Sequence, residues 1–430
     1  MSGLAERLAR AVAGGPLAAE FGAFVEAGGA GAGRLSEPVL RGVARVLGSQ
    51  PRLGGLLARP ALLERLAGAG PQSLREWGRE LAAGPGEAGE GDLERALDEL
   101  RLLRRQETAL AACLDLAGLV PFPAVSEFLS LLAEHVAGRA YALARRSLGP
   151  RPGVPLAVIG MGKLAGREFS YHSDLDLVFL FQGGIEAIDA ASRAAQRMIS
   201  YLTTMTGAGV AYAVDARLRP SGQQGALVTS FAGFERYQTE EAETWEHVAG
   251  LRARPIAGDV TIAAATLARV HAAILARRKP PWVYLADLRA RVERERGSES
   301  GGSIALKTGP GGLMDADFLA AGALLERGAE RFPELPSVAA MLRAGARGPR
   351  VDALLEDYEW LRLVEARTRW CAGRAVESLD PDGARRARVA ELVEPGLAPE
   401  RLVARIAATR GRIRAAWNAV IAADTIAALG

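Results

Sequence analysis

Two aspartates two residues apart carry the clearest chemical signal in this chain. Asp174 and Asp176 stand at the start of an apolar run, residues 175–181, that has the pattern of a buried strand. Side chains at positions i and i+2 of a strand point to the same face, so the two carboxylates are predicted to project together. A cation or a shared proton relieves the repulsion in such a pair, and oxygen ligands suit Mg²⁺. The pair therefore indicates a divalent metal site.

A glycine-rich turn lies directly upstream of the two aspartates. Gly160, Gly162 and Lys163 follow the apolar run 155–159, so a strand leads into the turn. Backbone N–H groups in such a turn can approach phosphate closely, and a lysine adds a compact positive charge. The chain has 53 basic residues but only three lysines, and another of them, Lys307, lies in a second glycine-rich segment. The turn, the lysine and the carboxylates together indicate nucleotide chemistry.

The glycine turn matches neither of two common phosphate-binding motifs. Gly162 and Lys163 are followed by leucine rather than Ser or Thr, and the glycine that opens a P-loop is missing. The G-x-G-x-x-x-G spacing and the prompt return to a strand also exclude a dinucleotide-binding fingerprint. Taken singly, the turn has a simple structural explanation, and an Asp-x-Asp pair is typical of a solvated strand end. Their combination with a later aspartate, Asp215, favours a functional site.

Length and composition limit the class of protein. The chain has 430 residues, of which 49% are apolar and 24% charged, as in a globular protein of two to four domains. A net charge of +3 is too small and too scattered to indicate nucleic-acid binding. The apolar runs are too short to cross a bilayer, and two distant cysteines indicate no disulfide framework. We therefore expect a cytoplasmic protein with neither a nucleic-acid nor a membrane partner.

Helical patterns occupy most of the chain on both sides of the glycine turn. Leucines at a helical spacing predict a helix over 93–116. Ser126 is predicted to cap a second helix that ends near residue 147. A third helical stripe covers 186–205, and the pattern is helical again from residue 262 onward.

Strand patterns are confined to the segment between these helices. Besides the run 175–181, residues 210–218 alternate in a way that places Asp215, Arg217 and Arg219 on one face. We therefore predict an α+β protein, mainly α-helical, with a mixed sheet at its centre. The predicted domains are an N-terminal helical region, a central core and a C-terminal helical bundle, over 1–120 (with a linker near 82–92), 121–260 and 261–430.

The conjunction of these features resembles the nucleotidyltransferase fold of the DNA polymerase β superfamily. There, three carboxylates hold two magnesium ions, of which one activates the attacking hydroxyl and the other binds the triphosphate. Asp174, Asp176 and Asp215 match those three carboxylates, both as catalytic residues and as metal ligands. The resemblance implies that nucleotide-binding residues lie around them, namely Gly160, Gly162, Lys163, Ser173, Arg217 and Arg219. Ordinary ion pairing explains each of the two arginines equally well.

A narrower resemblance is to the glutamine synthetase adenylyltransferases. The motifs that carry it lie at 160–168, 173–180, 214–222, 225–231, 244–247 and 307–315. Members of that family have two homologous halves in tandem, and this chain is about the length of one. One half adds AMP to a tyrosine of glutamine synthetase, and the other removes it by phosphorolysis. Segments 219–222 and 244–247 look more like the adding, C-terminal half.

The sequence departs from the family pattern at three places. Ala165 stands where a second glycine is usual, Ala316 and Asp317 stand where an Ile-Glu pair is typical, and Ala321 replaces a customary glutamine. These positions surround the site rather than form the aspartate triad. They leave the direction of reaction and its regulation open.

The resemblance implies a function in the control of nitrogen assimilation. We expect an enzyme that moves AMP from ATP, with two Mg²⁺ ions, to a tyrosine of glutamine synthetase. The expected partners are glutamine synthetase as the protein substrate and a PII signalling protein. Phosphorolytic deadenylylation at the same metal site and nucleotidyl transfer to a small molecule are alternative enzyme activities. A non-catalytic module that binds nucleotide or a partner protein is an alternative of a different class.

Overall fold

The computed structural model confirms a mainly helical α+β fold with a small mixed sheet in the middle of the chain. It describes residues 18–84, 92–149, 154–220, 222, 225–277, 282–297, 299–327 and 332–430. None of the helices in this described part combines the length and the hydropathy that a membrane crossing requires. The domain boundaries given above stay a prediction.

The first helices precede the sheet in the chain. They are α1 (Ala18–Gly33), α2 (Glu37–Ser49), α3 (Gly54–Leu57), α4 (Pro60–Ala67), α5 (Ser73–Ala82), α6 (Leu93–Leu116) and α7 (Phe122–Ser147). Helix α6 has the predicted bounds, and the Asp92 side chain caps it by accepting a hydrogen bond from the Glu94 N–H. Most of the predicted linker, residues 85–91, lies outside the described residues.

The prediction that Ser126 caps α7 was wrong. The helix begins at Phe122, directly after Pro121, and Pro123 occupies its first turn. Proline suits that position because the first N–H groups of a helix have no intrahelical partner to lose. Ser126 lies inside the helix instead, where its Oγ accepts a hydrogen bond from Arg362 at 2.9 Å.

Five strands form the central sheet: β1 (Leu156–Met161), β2 (Leu175–Phe181), β3 (Val214–Asp215), β4 (Val228–Ser230) and β5 (Ala253–Gly258). β1 is antiparallel to both β2 and β5, whereas β3 and β4 run parallel to β2 along its other edge. The strand expected over 210–218 is therefore only two residues long. Beyond it the Arg217 N–H donates to the Asp215 side chain at 2.9 Å instead of continuing the ladder.

The remaining elements alternate with the later strands and then complete the chain. The helices are α8 (Gly162–Ala165), α9 (Ile188–Thr203), α10 (Phe231–Arg236), α11 (Thr244–Gly250), α12 (Val260–Ala276), α13 (Trp282–Arg296), α14 (Leu313–Arg327), α15 (Val338–Gly345), α16 (Pro349–Ala372), α17 (Gly383–Val393) and α18 (Pro399–Ala423). A two-stranded ribbon pairs β6 (Ile304–Ala305) with β7 (Ser378–Leu379). Helix α9 confirms the helical stripe predicted over 186–205.

The two faces of the sheet pack against different helices. Leu177 and Phe179 of β2 join an apolar cluster with α2, α6 and α7. Val178 and Leu180 join a second cluster with α12, α14 and α16. By alternation, Asp176 shares the face of Val178. The later helices must therefore supply much of the surroundings of the carboxylates.

The close approach of α2 and α6 yields a test of the N-terminal packing. A Cβ at Gly42 would lie 1.8 Å from the carbonyl oxygen of Cys113, so Gly42→Ala forces the helices apart. We expect a loss of about 3 kcal/mol in the free energy of unfolding. Gly55→Ala, in open space on α3, is the matched control and should be neutral or slightly stabilising. Denaturant unfolding measures both, and a Gly42→Ala variant as stable as the parent would contradict this packing.

Candidate functional site

The paired ends of β2 and β3 bring the predicted carboxylates to one face of the sheet. Asp176 is paired directly with Asp215 in parallel register, and Asp174 lies two residues before Asp176. Burial raises the pKa of Asp176 from 3.8 to about 6, and the charges of Asp174 and Asp215 add to the rise. Negative charge therefore accumulates at this edge, as the sequence predicted.

Arg217 binds the carboxylate of Asp215. Its Nε lies 2.9 Å from both carboxylate oxygens, and one Nη also donates to Oδ2. The hydrogen bonds from Arg217 hold the pKa of Asp215 below its usual value. Across the described residues, no three metal-ligating side chains converge closely enough to hold an ion, and Asp215 is engaged by Arg217 instead. The Arg217 side chain is 64% exposed, so this ion pair is easily exchanged for another.

The glycine turn lies against the carboxylates. Gly162 has a φ of +54°, which favours glycine, and a Cβ there would lie 3.5 Å from Asp176 Oδ2. Its N–H donates to the Arg252 carbonyl at 2.9 Å and is not free for a ligand. Lys163 Nζ donates to Glu365 Oε2 at 2.5 Å. Burial lowers the pKa of Lys163 to about 8, although Glu365 opposes the shift.

Gly160 lies on the other face of the sheet. It pairs with Leu177 in the antiparallel register, and a Cβ on it would lie 3.0 Å from the Ile256 side chain and 3.1 Å from that of Leu164. Close packing of apolar side chains thus explains this glycine. A side chain at this position would point away from the face that carries the carboxylates.

Ser173 and Arg219, two other predicted nucleotide-binding residues, have structural partners. Ser173 Oγ accepts hydrogen bonds from the Ser170 N–H at 3.2 Å and from Arg369 Nη1 at 3.1 Å. Arg219 Nε donates to the Gly225 carbonyl at 3.2 Å, and its Nη1 donates to a second carbonyl nearby. Ser173 therefore shapes the turn before Asp174, and Arg219 braces the loop after β3.

The turn after β6 and the helix α14 bring a second lysine and a further carboxylate to the site. Lys307 Nζ donates to Glu377 Oε1 at 3.3 Å, and its charge opposes the rise in the pKa of Asp176. Asp317, on α14, accepts a hydrogen bond from Arg252 at 3.0 Å. Burial raises the pKa of Asp317, and Lys307 counteracts this rise. The scarcity of lysine in the sequence drew attention to Lys307. No motif or spacing, however, placed Lys307 or Asp317 beside the aspartates.

Helix α16 provides the buried charges behind the glycine turn. Glu365 binds Lys163 on one side and lies 3.3 Å from Arg369 Nη2 on the other. Burial alone would raise the pKa of Glu365, but the charges of Lys163 and Arg369 outweigh it and lower that pKa to about 2. Glu365 is thus ionised and holds Lys163 in place. No motif in the sequence pointed to it, because its partner is 202 residues away.

The same helix ties the site to the N-terminal helices. Arg362 Nη2 donates to Ser126 Oγ of α7 and to the Glu168 carbonyl, each at 2.9 Å. Arg367 binds both carboxylate oxygens of Asp115, on α6, with an Nη2–Oδ1 distance of 2.7 Å. Both arginines are nearly fully buried, so loss of either partner would leave a buried charge unpaired. The helix therefore fixes the turn, the lysine and the first aspartate relative to each other.

The mixed sheet carries the aspartates on its paired strand ends, with the glycine turn before them. Comparison with known proteins is more specific. The chain belongs to the glutamate–ammonia ligase adenylyltransferase family, whose family model matches residues 40–269. Residues 285–421 match a second family model, described as GlnD PII-uridylyltransferase. The resemblance predicted from the motifs is confirmed.

Several curated relatives are named bifunctional glutamine synthetase adenylyltransferase/adenylyl-removing enzyme. The protein of Thioalkalivibrio sulfidiphilus is 35% identical over 320 residues, which is 66% of this chain and 32% of the relative. That of Aromatoleum aromaticum is 38% identical over 251 residues, or 57% of this chain and 26% of the relative. That of Pseudomonas aeruginosa is 34% identical over 318 residues, or 64% and 32%. The chain thus spans about a third or less of the length of these relatives.

The raised pKa of Asp176 predicts a pH-dependent gain of stability on its neutralisation. The folded-state pKa of about 6 lies above the ordinary 3.8, so ionisation of Asp176 weakens the folded state increasingly as pH rises between those values. In chelator-treated buffer, Asp176→Asn should raise the free energy of unfolding by about 3 kcal/mol well above pH 6. The gain should vanish below pH 3.8. Unfolding curves across pH measure this.

Asp287→Asn supplies the control for this pH dependence. Asp287 is exposed on α13 and makes no ion pair with the described residues. Its variant should follow the parent at every pH. If Asp176→Asn also followed the parent, the carboxylates would not be crowded as the register of β2 and β3 indicates.

Proposed function

We propose that this chain transfers AMP from ATP to a tyrosine of glutamine synthetase, with two Mg²⁺ ions bound by Asp174, Asp176 and Asp215. The observation that carries the proposal is the direct pairing of Asp176 with Asp215 on the face that Lys163 and Lys307 approach. Membership of the adenylyltransferase family supports the same reaction. The names of the similar proteins support glutamine synthetase as the substrate.

The donor set suits magnesium. Carboxylates provide oxygen ligands only. Burial, and after it the charges of Asp174 and Asp215, raise the pKa of Asp176, and a divalent cation would relieve the repulsion among these carboxylates. When bound, the ions would polarise the phosphate oxygens and lower the pKa of the attacking hydroxyl. Asp215 must first exchange Arg217 for the cation, which its exposed partner permits.

The basic residues of the site would bind the nucleotide. Arg217, once free of Asp215, offers a planar donor fork to a phosphate. Lys163 carries a proton in most molecules at neutral pH, since its pKa is about 8, and phosphate would compete with Glu365 for its ammonium group. Lys307, which also acts on Asp176 and lies near Lys163, would bind another phosphate oxygen.

Addition of AMP is the direction we propose, because segments 219–222 and 244–247 resemble the adding half of the family. Ser221, within the first segment, lies outside the described residues. Removal of AMP by phosphorolysis is the second candidate, since the relatives' names include adenylyl removal. We include a PII signalling protein as a partner, in keeping with the likeness of 285–421 to the PII-uridylyltransferase model. The proposal places the protein in the cytoplasm, with its ATP and its protein substrate.

Two parallel incubations test the reaction and its direction. One contains unmodified glutamine synthetase, Mg²⁺ and ATP labelled in the α-phosphate; the other contains adenylylated glutamine synthetase and phosphate. We expect label on the synthetase in the first and no ADP in the second. ADP in the second mixture alone would reverse the direction, and no reaction in either would refute the enzyme.

Asp176→Asn is expected to abolish transfer while the protein stays folded, because the variant removes one charge from the metal-binding set. Asp287→Asn, the exposed control, should react at the parental rate. Transfer of label by both variants, in the assay just described, would exclude Asp176 from the site.

Lys163→Arg is expected to weaken ATP binding by about tenfold, since the space between the glycine turn and Glu365 holds an ammonium and not a guanidinium fork. Equilibrium binding of a fluorescent ATP analogue measures this. The control is Lys279→Arg, at a lysine that belongs to neither glycine-rich segment. If Lys163→Arg bound ATP as well as this control does, Lys163 would have a structural role only.

A further inference from the structure

A cavity of about 430 Å³ lies beside the N-terminal end of β2. Helix α6 forms one wall, the loop 204–210 forms another, and Trp370 at the end of α16 closes it. Its charged lining consists of Arg52, Arg104 and Arg105, together with His172. None of the described residues that line it is an aspartate or a glutamate. We call this space the arginine cavity.

The arginine cavity is firmly built. Arg101, fully buried on α6, donates to the Gly209 carbonyl at 2.8 Å and to the Tyr201 carbonyl at 2.9 Å. These bonds hold the loop 204–210 against the helix. One helical turn further, Arg104 lies over the Tyr212 ring, 4.9 Å from its centroid. The fold therefore holds the loop and the half-buried Arg104 in place, whereas Arg52 and Arg105 are exposed.

The arginines that line the cavity make no ion pairs within the described structure, although Asp98 lies nearby and accepts a hydrogen bond from Thr206 of the lining. Arg52, Arg104 and Arg105 form no ion pair with a described carboxylate, and Arg105 has only a long, 3.5 Å contact with the Ala208 carbonyl. Buried Arg101 likewise bonds to carbonyl groups. Like charges held together repel, and bound anions remove that repulsion.

His172 adds an imidazole to the lining of the arginine cavity. Its φ of +55° is a left-handed conformation that residues other than glycine rarely adopt. Such strain persists where the surrounding structure imposes it, and it often occurs at ligand sites.

We propose that the arginine cavity binds a small multivalent anion, whose phosphate or carboxylate groups are held by Arg52, Arg104 and Arg105. The volume suits a small molecule. The site is separate from the aspartates and does not rest on the function proposed above. None of the three aspartates lines the cavity, and Arg369 Nη1 donates to Ser173 Oγ at 3.1 Å close to it.

Ser173 and Arg369, which share this hydrogen bond, are next to residues of the cavity in the sequence. His172 precedes Ser173, and Trp370 follows Arg369. A ligand in the arginine cavity would therefore touch both neighbours of the hydrogen bond that positions the turn before Asp174.

The histidine ring signals of the full chain provide a direct binding test. The chain has four histidines, so a sample with labelled histidine gives a small set of resonances, and His172→Gln assigns one of them. Inorganic phosphate and citrate are titrated separately, with a chelator present and with chloride at matched ionic strength as the reference. We expect a saturable shift of the His172 signal with at least one of the two anions. The anion that acts identifies the ligand group.

Matched variants assign the response to the arginines. Arg104→Gln combined with Arg105→Gln should weaken the anion's apparent affinity by about tenfold or more. Arg291→Gln combined with Arg401→Gln, which removes the same charge from exposed helix positions, should leave the affinity unchanged. The proposal is overturned if neither anion shifts the signal, if chloride reproduces the shift, or if the two double variants respond alike. Unchanged spectra of the other histidines confirm that the variants are folded.

Discussion

Repulsion between carboxylates at the joined ends of β2 and β3 is the constraint on which the candidate site depends. The parallel register places Asp176 opposite Asp215, and burial raises the pKa of Asp176 to about 6. The basic groups nearby offset the negative charge of these aspartates. Arg217 neutralises Asp215 directly, while Lys163 and Lys307 act on Asp176 through space. A divalent cation would replace Arg217 in neutralising Asp215.

Helix α16 connects the charges of the site to the rest of the fold. Its buried Glu365 competes with the aspartates for Lys163, and its Arg369 holds Ser173. Through Arg362 and Arg367 the same helix is bonded to the long helices that precede the sheet. Such buried pairs add little net stability, because desolvation offsets their attraction, but they strongly disfavour any other arrangement. The position of the lysine is therefore tied to elements far away in the sequence.

Local patterns predicted much of this structure. The leucine spacing of α6, the alternation around Asp174 and Asp176 and the glycine turn are determined by neighbouring residues, and the structure has them as expected. Errors arose where tertiary contacts decide. Ser126 has the residue type of a helix cap, but its oxygen binds Arg362 within α7. The strand expected over 210–218 ends at Asp215, where side-chain bonds replace the ladder.

Long-range contacts are the part of the site that sequence could not supply. Glu365 and Asp317 lie far from the aspartates in sequence and at no regular spacing from them. Only the fold brings these two carboxylates near Lys163 and Lys307. Gly160 and Ser173 were predicted to bind nucleotide, and in the structure packing and hydrogen bonds of the turn account for both residues. Residue type and spacing identify groups able to do chemistry. They do not show which partners those groups have.

Crystallographic detection of Mn²⁺ tests the central claim most directly. Crystals of the chain grown with Mn²⁺ and a non-hydrolysable ATP analogue would locate the metal by its anomalous scattering. The account predicts density between Asp174, Asp176 and Asp215, with Arg217 turned from Asp215 to a phosphate. Nucleotide bound elsewhere, with Arg217 still on Asp215 and no metal at the three aspartates, would contradict it.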